Sequence, residues 1–323
     1  MQQVTINENE AGQRLDKYLQ KFMPQAPASF FYKMLRKKNI TLNGKKAEGK
    51  EKVLKGDVVT LYLSHETIEG FRNRRPKTGE YEEAYNTLKG IKAVYEDAHV
   101  AIMNKPAGIL SQKAAQGDLS LNEWLVGYLL SKGEITKEQL ATFKPSVCNR
   151  LDRNTQGLVI GAKSLAGSQK ISQLLGSRQI GKFYRMFVAG QMEAEGMLEG
   201  YLIKDEATNK VRLVNKDGDQ ASYIKTRYYP IKQFSDRTLV EAELITGKPH
   251  QIRIHMAETG HPVIGDYKYG HREWNDKYKA KYHITNQLLW ACRLEFPKLE
   301  PPFENLSERI INAPLPAQFH RLE

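Results

Sequence analysis

The stretch that decides the reading is "NRLDRNTQGLVIGAK", residues 149–163. Polar turn residues lead into a short apolar run, Leu158, Val159 and Ile160, which predicts a strand. Asp152 then sits at the edge of that strand rather than in a solvated loop. Burial raises a carboxyl pKa, whereas a neighbouring guanidinium lowers it by ~1–3 units. An arginine partner can therefore keep such a group ionised where water is scarce, and an ionised, partly desolvated carboxylate is a usable nucleophile. A turn cap combined with an ion pair is the competing reading of this stretch alone.

Further strand-like runs flank it: "IKAVYE", "VAIMNK", "KFYRMFVAG" and "TLVEAELIT", mixed with helical stretches near 121–131, 165–176 and 249–258. Alternating runs separated by Gly, Pro and Asn turns predict an α+β domain, a mixed or antiparallel sheet with helices packed on it. The regular strand–helix alternation of a doubly wound fold is missing, as are GxGxxG after a strand and GxxxxGK[ST]. Nucleotide-cofactor and phosphate-cradle readings lose their basis.

The 323 residues suit one large and one smaller domain, or two comparable ones. Lys plus Arg outnumber Asp plus Glu by 49 to 37, a net +12, which makes a polyanion the first partner to consider. Cys148 and Cys292 stand far apart without companions at metal-ligand spacing, so neither a disulfide framework nor a zinc site is expected. With no signal-peptide pattern at "MQQVTINENE" and no run near the ~18 apolar residues of a membrane span, a cytoplasmic location is expected.

Residues 1–63 carry twelve Lys/Arg against six acids, a net +6, so half of the excess charge lies in this segment. Leu15, Tyr18, Leu19 and Phe22 recur at i, i+3, i+4 and i+7 and predict a helix. A second helix follows Ser29, with Phe30, Phe31, Met34 and Leu35 as apolar contacts and Lys33, Arg36, Lys37 and Lys38 towards its end. Asn43-Gly44 in "ITLNGKKA" and Gly56-Asp57 mark the turns of a small hairpin. Residues 64–90, with "RNRRPKTGEYEE" and no evident apolar period, read as a linker.

A second polar concentration lies at "TGKPHQIRIHMAETGHPVIGDYKYG", residues 246–270. Arg253 stands there among Ile252, Ile254 and Met256, so its charge is held near apolar surface and calls for a carboxylate partner. His250 and His255 are five apart, off one helix face and without a matching acid, which disfavours a metal.

"NKPAGI", "NRLDRNTQGLVIGAK", "KFYRMFVAG" and "GKPHQIRIHMAETGHPVIGDYKYG", in this order over roughly residues 91–300, resemble the RluA/RluD family of pseudouridine synthases. The basic segment in front, through "QRLDKYL" and "ITLNGKKA", is similar to the alpha-L RNA-binding domain of a ribosomal small-subunit protein. The resemblance implies a pseudouridine synthase fold over 91–323, with a mostly antiparallel central sheet and flanking helices, preceded by an alpha-L domain over 1–63. It implies that Asp152 attacks the target uridine and that Arg253 pairs with it. Tyr184 would lie against the base, and Leu289 and Gln251 would line the pocket. Arg150, Asn149, Lys33, Arg36, Lys37, Lys38, Lys45 and Lys46 would contact RNA. Ribosomal RNA is the first substrate to expect and transfer RNA the second, for a monomer that needs no metal, nucleotide or redox cofactor.

Two positions depart from the family pattern: Asn149, where histidine is usual, and "LSQKAAQG" after "NKPAGI", where a Val-His-Pro-like run is usual. Asparagine still donates and accepts hydrogen bonds but does not take a proton near neutral pH. An RNA-binding assembly or chaperone factor that kept the fold without the reaction is the second reading. A hydrolase of small nucleosides is the third, and it leaves the basic N-terminal segment without a purpose.

Overall fold

Residues 1–61 fold as a small sheet with two helices on it, in a computed structural model that describes residues 1–72, 78–205, 210–214 and 221–322. The strands β1 (Gln2–Thr5), β2 (Ile40–Leu42), β3 (Lys45–Lys46) and β4 (Val58–Leu61) run in the order β1-β4-β2-β3, all antiparallel. Helix α1 (Leu15–Phe22) buries Leu15, Tyr18, Leu19 and Phe22, the stripe that the sequence period predicts. In α2 (Ala28–Arg36), Phe31 and Leu35 face this core while Lys33, Arg36, Lys37 and Lys38 are exposed. The helix starts behind Pro27 rather than Ser29: Pro27 takes the N-cap position with an extended ψ of 148°, and no side chain caps the helix there. Asn43 and Gly44 both adopt positive φ and close the β2–β3 hairpin, leaving Lys45 and Lys46 exposed.

The stretch read as a linker carries regular structure. Helices α3 (His65–Phe71) and α4 (Gly79–Thr87) occupy it, and residues 73–77 lie outside the described residues. Its period was hidden among charges: Tyr81, Ala84, Tyr85 and Leu88 recur at i, i+3, i+4 and i+7 and pack on the main core. Helix α4 lies so close to α5 (Leu121–Ser131) that a Cβ on Gly127 would come within 2.1 Å of the Tyr81 carbonyl oxygen.

The rest of the chain is built on one large sheet. Its strands are β5 (Lys92–Glu96), β6 (Val100–Lys105), β7 (Ser146–Val147), β8 (Gln156–Ala162), β9 (Gly181–Ala189), β10 (Gly196–Asp205), β11 (Lys210–Val214), β12 (Ser222–Gln233), β13 (Arg237–Leu244), β14 (Leu289–Glu295) and β15 (Ile310–Asn312). They order as β11-β10-β12-β13-β9-β14-β8-β6-β5, with β15 on β14 and β7 on β8. Among the described strands every pairing is antiparallel except β8 with β14. The expected mixed, mostly antiparallel sheet is what forms.

Both faces of the middle strands are covered, which is why "GLVIGA" is apolar without alternation. Val159, Tyr184, Met186 and Val188 join a core with α4, α5 and α7 (Gln251–Glu258), whereas Leu158, Ile160 and Phe187 join a second core with α6 (Leu165–Gly176) and α8 (Arg272–Tyr282). The parallel β8–β14 contact requires glycine at 157: its φ is +117°, and a Cβ there would meet the Ala291 oxygen at 2.2 Å. Asp152 lies in the turn just before this contact, between β7 and β8.

Candidate active site

The two residues flanking Asp152 are fixed by groups from distant parts of the chain. The Ser111 hydroxyl donates to the Leu151 carbonyl at 2.8 Å and accepts from the Leu151 amide at 2.9 Å, satisfying both backbone groups of one buried residue. On the other side, the Arg153 carbonyl accepts from the Lys105 ammonium at 3.0 Å and from the Gly108 amide at 2.9 Å. Lys105 is wholly buried and also donates to the Pro106 and Ile109 carbonyls. Burial pushes its amine down to about 7, opposed by the negative charge of Asp152. A turn gripped at both ends presents its middle carboxylate with little freedom.

That carboxylate meets Arg253 of α7, whose Nη1 donates to Asp152 Oδ2 at 2.8 Å. The same guanidinium donates Nε to Asp266 Oδ2 at 2.7 Å and Nη2 to Asp266 Oδ1 at 2.8 Å, a fork-to-fork pair. Side-chain exposure falls from 24% at Asp152 to 7% at Arg253 and 1% at Asp266, so the buried aspartate anchors the arginine and the arginine reaches out to the accessible one. Asp266 Oδ1 also accepts from the Lys268 and Tyr269 amides, and Asn275 of α8 ties the 265–266 turn through the Gly265 amide and the Asp266 carbonyl. The Arg253 guanidinium lies 5.1 Å from the centroid of the Tyr269 ring.

His250 precedes α7 in the left-handed region, φ 55°, and its Nε2 stands 3.9 Å from Asp152 Oδ2 while Nδ1 is hydrogen-bonded to the Tyr269 hydroxyl at 2.7 Å. Burial holds this imidazole below its ordinary range, against the pull of Asp152. His255 faces away, with Nδ1 on the Thr226 hydroxyl, so the two histidines do not converge. Among the described residues no group of three or more His, Cys, Asp or Glu is arranged to hold a metal ion.

Tyr184 enters from β9, and both of its cross-strand neighbours are alanines, Ala242 on β13 and Ala291 on β14. The ring is buried between these small neighbours, 6% exposed, where it forms part of the cleft wall. Its phenol is pushed up by burial first and by the Asp152 charge second, so the hydroxyl keeps its proton. Asp152, Tyr184, Leu289, Ile252 and Gln251 line one cleft of about 880 Å³, within the size range of small-molecule sites. Five cations, Arg150, Arg153, Lys182, Lys248 and Arg253, line it against Asp152 as the one acid among its described lining residues. The balance suits a polyanionic ligand.

Arg150 is exposed at the cleft, and Leu289 is buried in its wall. Gln251 lines the cleft but its amide is engaged by Thr226, Thr246, the Lys225 carbonyl and the Lys248 amide. Asn149 accepts from the Ile160 amide at 2.7 Å, a backbone tie of the turn to β8 that leaves the Arg253–Asp152 pair untouched. Lys33, Arg36, Lys37, Lys38, Lys45 and Lys46 are exposed and none lines the cleft. Sequence reasoning missed Lys105, Ser111 and Asp266. All three fall inside quoted segments, "NKPAGI", "LSQKAAQG" and "GDYKYG", but their partners are 48, 40 and 13 residues away.

A sheet that presents an arginine-held carboxylate and a tyrosine ring in a cation-lined cleft suits an enzyme that acts on a polyanion such as nucleic acid. Over residues 99–258 the chain matches the family described as RNA pseudouridylate synthase. It is 30% identical to ribosomal large subunit pseudouridine synthase C of Vibrio cholerae serotype O1, covering 99% of this chain and 95% of that protein. It is also 30% identical to the protein of the same name from Haemophilus ducreyi, covering 96% and 91%. The solved structures of human RNA pseudouridylate synthase domain containing 4 and 1 share the fold, with TM-scores of 0.58 and 0.53 at 20% and 18% identity. They cover 76% and 72% of this chain, and it covers 97% and 86% of theirs. The chain belongs to the RNA pseudouridylate synthase family and isomerises uridine to pseudouridine in RNA.

Proposed function

We propose that this enzyme modifies ribosomal RNA of the large subunit, with Asp152 as nucleophile, Arg253 as its ion partner and Tyr184 as the surface on which the extruded base rests. The observation that carries the assignment of roles is the 2.8 Å contact between Arg253 and Asp152 beside Tyr184 in one cleft. The relatives, named as ribosomal large subunit pseudouridine synthases, support the substrate. Transfer RNA is the alternative substrate, and residues 1–63 form the RNA-holding module through the exposed lysines and Arg36. The same reading takes the protein to act as a monomer.

Chemistry on a base requires that it leave the stack, at a cost of a few kcal/mol, which an aromatic face and contacts to its edge offset. Asp152 then attacks either carbon 6 of the base or the anomeric carbon. In the second route the oxygen–C1′ bond forms as C1′–N1 breaks, and the electron pair leaves with uracil. The ring turns, its carbon 5 bonds to C1′ and displaces the carboxylate. Carbon 5 loses a proton and N1 gains one, so substrate and product are isomers and nothing is oxidised or reduced.

Pseudouridine mapping across all RNAs of strains with and without this gene, complemented by wild type or Asp152→Ala, tests the reading. The expected outcome is one or a few large-subunit sites that vanish on deletion and return only with the wild-type gene. Identical maps in all strains overturn it.

A further inference from the structure

Among the described residues, the buried Lys105, Lys163 and Arg253 and the partly buried Arg293 are met by carboxylates or carbonyls. Lys163 pairs with Glu96 and Glu134, Arg293 with Glu241, Arg253 with two aspartates, and Lys105 donates to three carbonyls. Lys182 departs from this pattern. It precedes Tyr184 by two residues on β9, so both side chains leave the same face of the sheet, and both line the cleft. Its ammonium nitrogen lies 3.8 Å from where a Cβ on Gly247 would stand, so it reaches the loop that leads into α7, and the missing side chain leaves that flank open. Among the described residues it has no carboxylate partner. Burial and the neighbouring Arg178 guanidinium both push its amine down. Lys248 and Arg150 line the same cleft.

A half-buried ammonium crowded by another cation is unfavourable until an anion joins it. An RNA strand that presents one base to Tyr184 carries a phosphodiester on each side of that nucleotide. We propose that Lys182, with Lys248 and Arg150, seats a phosphodiester of the strand that delivers the target uridine to Asp152. The proposal rests on the functional reading above and adds which residue fixes the register of the strand in the cleft.

The test uses full-length wild type, Lys182→Gln and Lys182→Arg with protein-free large-subunit ribosomal RNA from a strain lacking this gene. For Lys182→Gln the expected result is a KM raised about tenfold, the loss of one charge-assisted contact, with kcat within threefold. The log–log dependence of kcat/KM on salt becomes shallower by about 0.7, one phosphate contact on single-stranded RNA. Lys182→Arg restores the slope. The melting temperature of Lys182→Gln stays level or rises, because an unpaired charge has been removed; a merely structural lysine would lower it. If millimolar inorganic phosphate raises the melting temperature of wild type but not of Lys182→Gln, while KM and the salt slope are the same for both, the seat takes a free anion and the proposal is overturned. An active wild type matched by Lys182→Gln in KM and slope overturns the proposal alone. A wild type that forms no pseudouridine overturns the functional reading itself.

Discussion

Replacing Asp266 by asparagine removes the anchor of the arginine without substituting any residue that lines the cleft. Asp266 accepts four hydrogen bonds, from Arg253 Nε and Nη2 and from the Lys268 and Tyr269 amides. If the amide oxygen keeps the place of Oδ1, which serves Nη2 and the two backbone groups, the new NH2 faces the Nε–H of Arg253 where Oδ2 stood at 2.7 Å. Two donors then oppose each other, and a guanidinium that is 7% exposed loses its buried counter-charge. Breaking such a pair costs about 3–5 kcal/mol, and the retained Asp152 contact places this case near 3 kcal/mol. A chain of 323 residues unfolds with an entropy of about 0.7 kcal/mol per kelvin, so the melting temperature should fall by about 4–5 °C. If the same loss is felt where Arg253 holds Asp152, turnover falls about 100-fold. Thermal unfolding and tritium release from RNA carrying [5-³H]uridine measure the two effects. A variant within 1 °C and twofold of wild type refutes the anchoring role of Asp266.

Ser111→Ala strips both backbone groups of Leu151 of their partner, a loss of about 1–3 kcal/mol, and should slow turnover about tenfold, with Ser111→Thr recovering part of it in the same assay. His255 is buried and neutral, its imidazole held down to about 4 by burial against 6.5 for the free group. Its contribution is complete above pH 6.5 and is lost as pH falls towards 4, about 3 kcal/mol in all; urea midpoints at pH 7 and pH 4.5 should therefore draw closer together in His255→Gln than in wild type. Gly157→Ala sets a Cβ against the Ala291 oxygen in a backbone conformation that side chains resist, so the variant should melt well below wild type by calorimetry, and an unchanged transition contradicts the strand contact described.

The parts of this protein that were legible in its sequence are those whose signal is local. The stripe of α1, the Asn43-Gly44 turn and the double-sided apolar run of β8 each state their structure within a dozen residues. Asp152, Tyr184 and Arg253 were reached through motifs, and the demand of Arg253 for a carboxylate follows from its apolar neighbours. The tie between Ser111 and Leu151 and the burial of Lys105 beside Arg153 are decided by contacts across 40 and 48 residues, where no periodicity reports them. Helix α8 was missed because it buries only Asn275 and Tyr278, and α4 because charges obscured its period. Asn149, singled out as a departure, is spent on a backbone amide, so it bears on how the turn is held rather than on the Asp152 carboxylate itself.

In the proposed mechanism the Asp152 carboxylate, held by Arg253, does the chemistry. Single-turnover formation of pseudouridine by purified Asp152→Asn, on an RNA that wild type converts fully, tests it most directly. No product above background is expected, with RNA affinity within a few-fold of wild type. Product formed by Asp152→Asn at a rate comparable to wild type would contradict it.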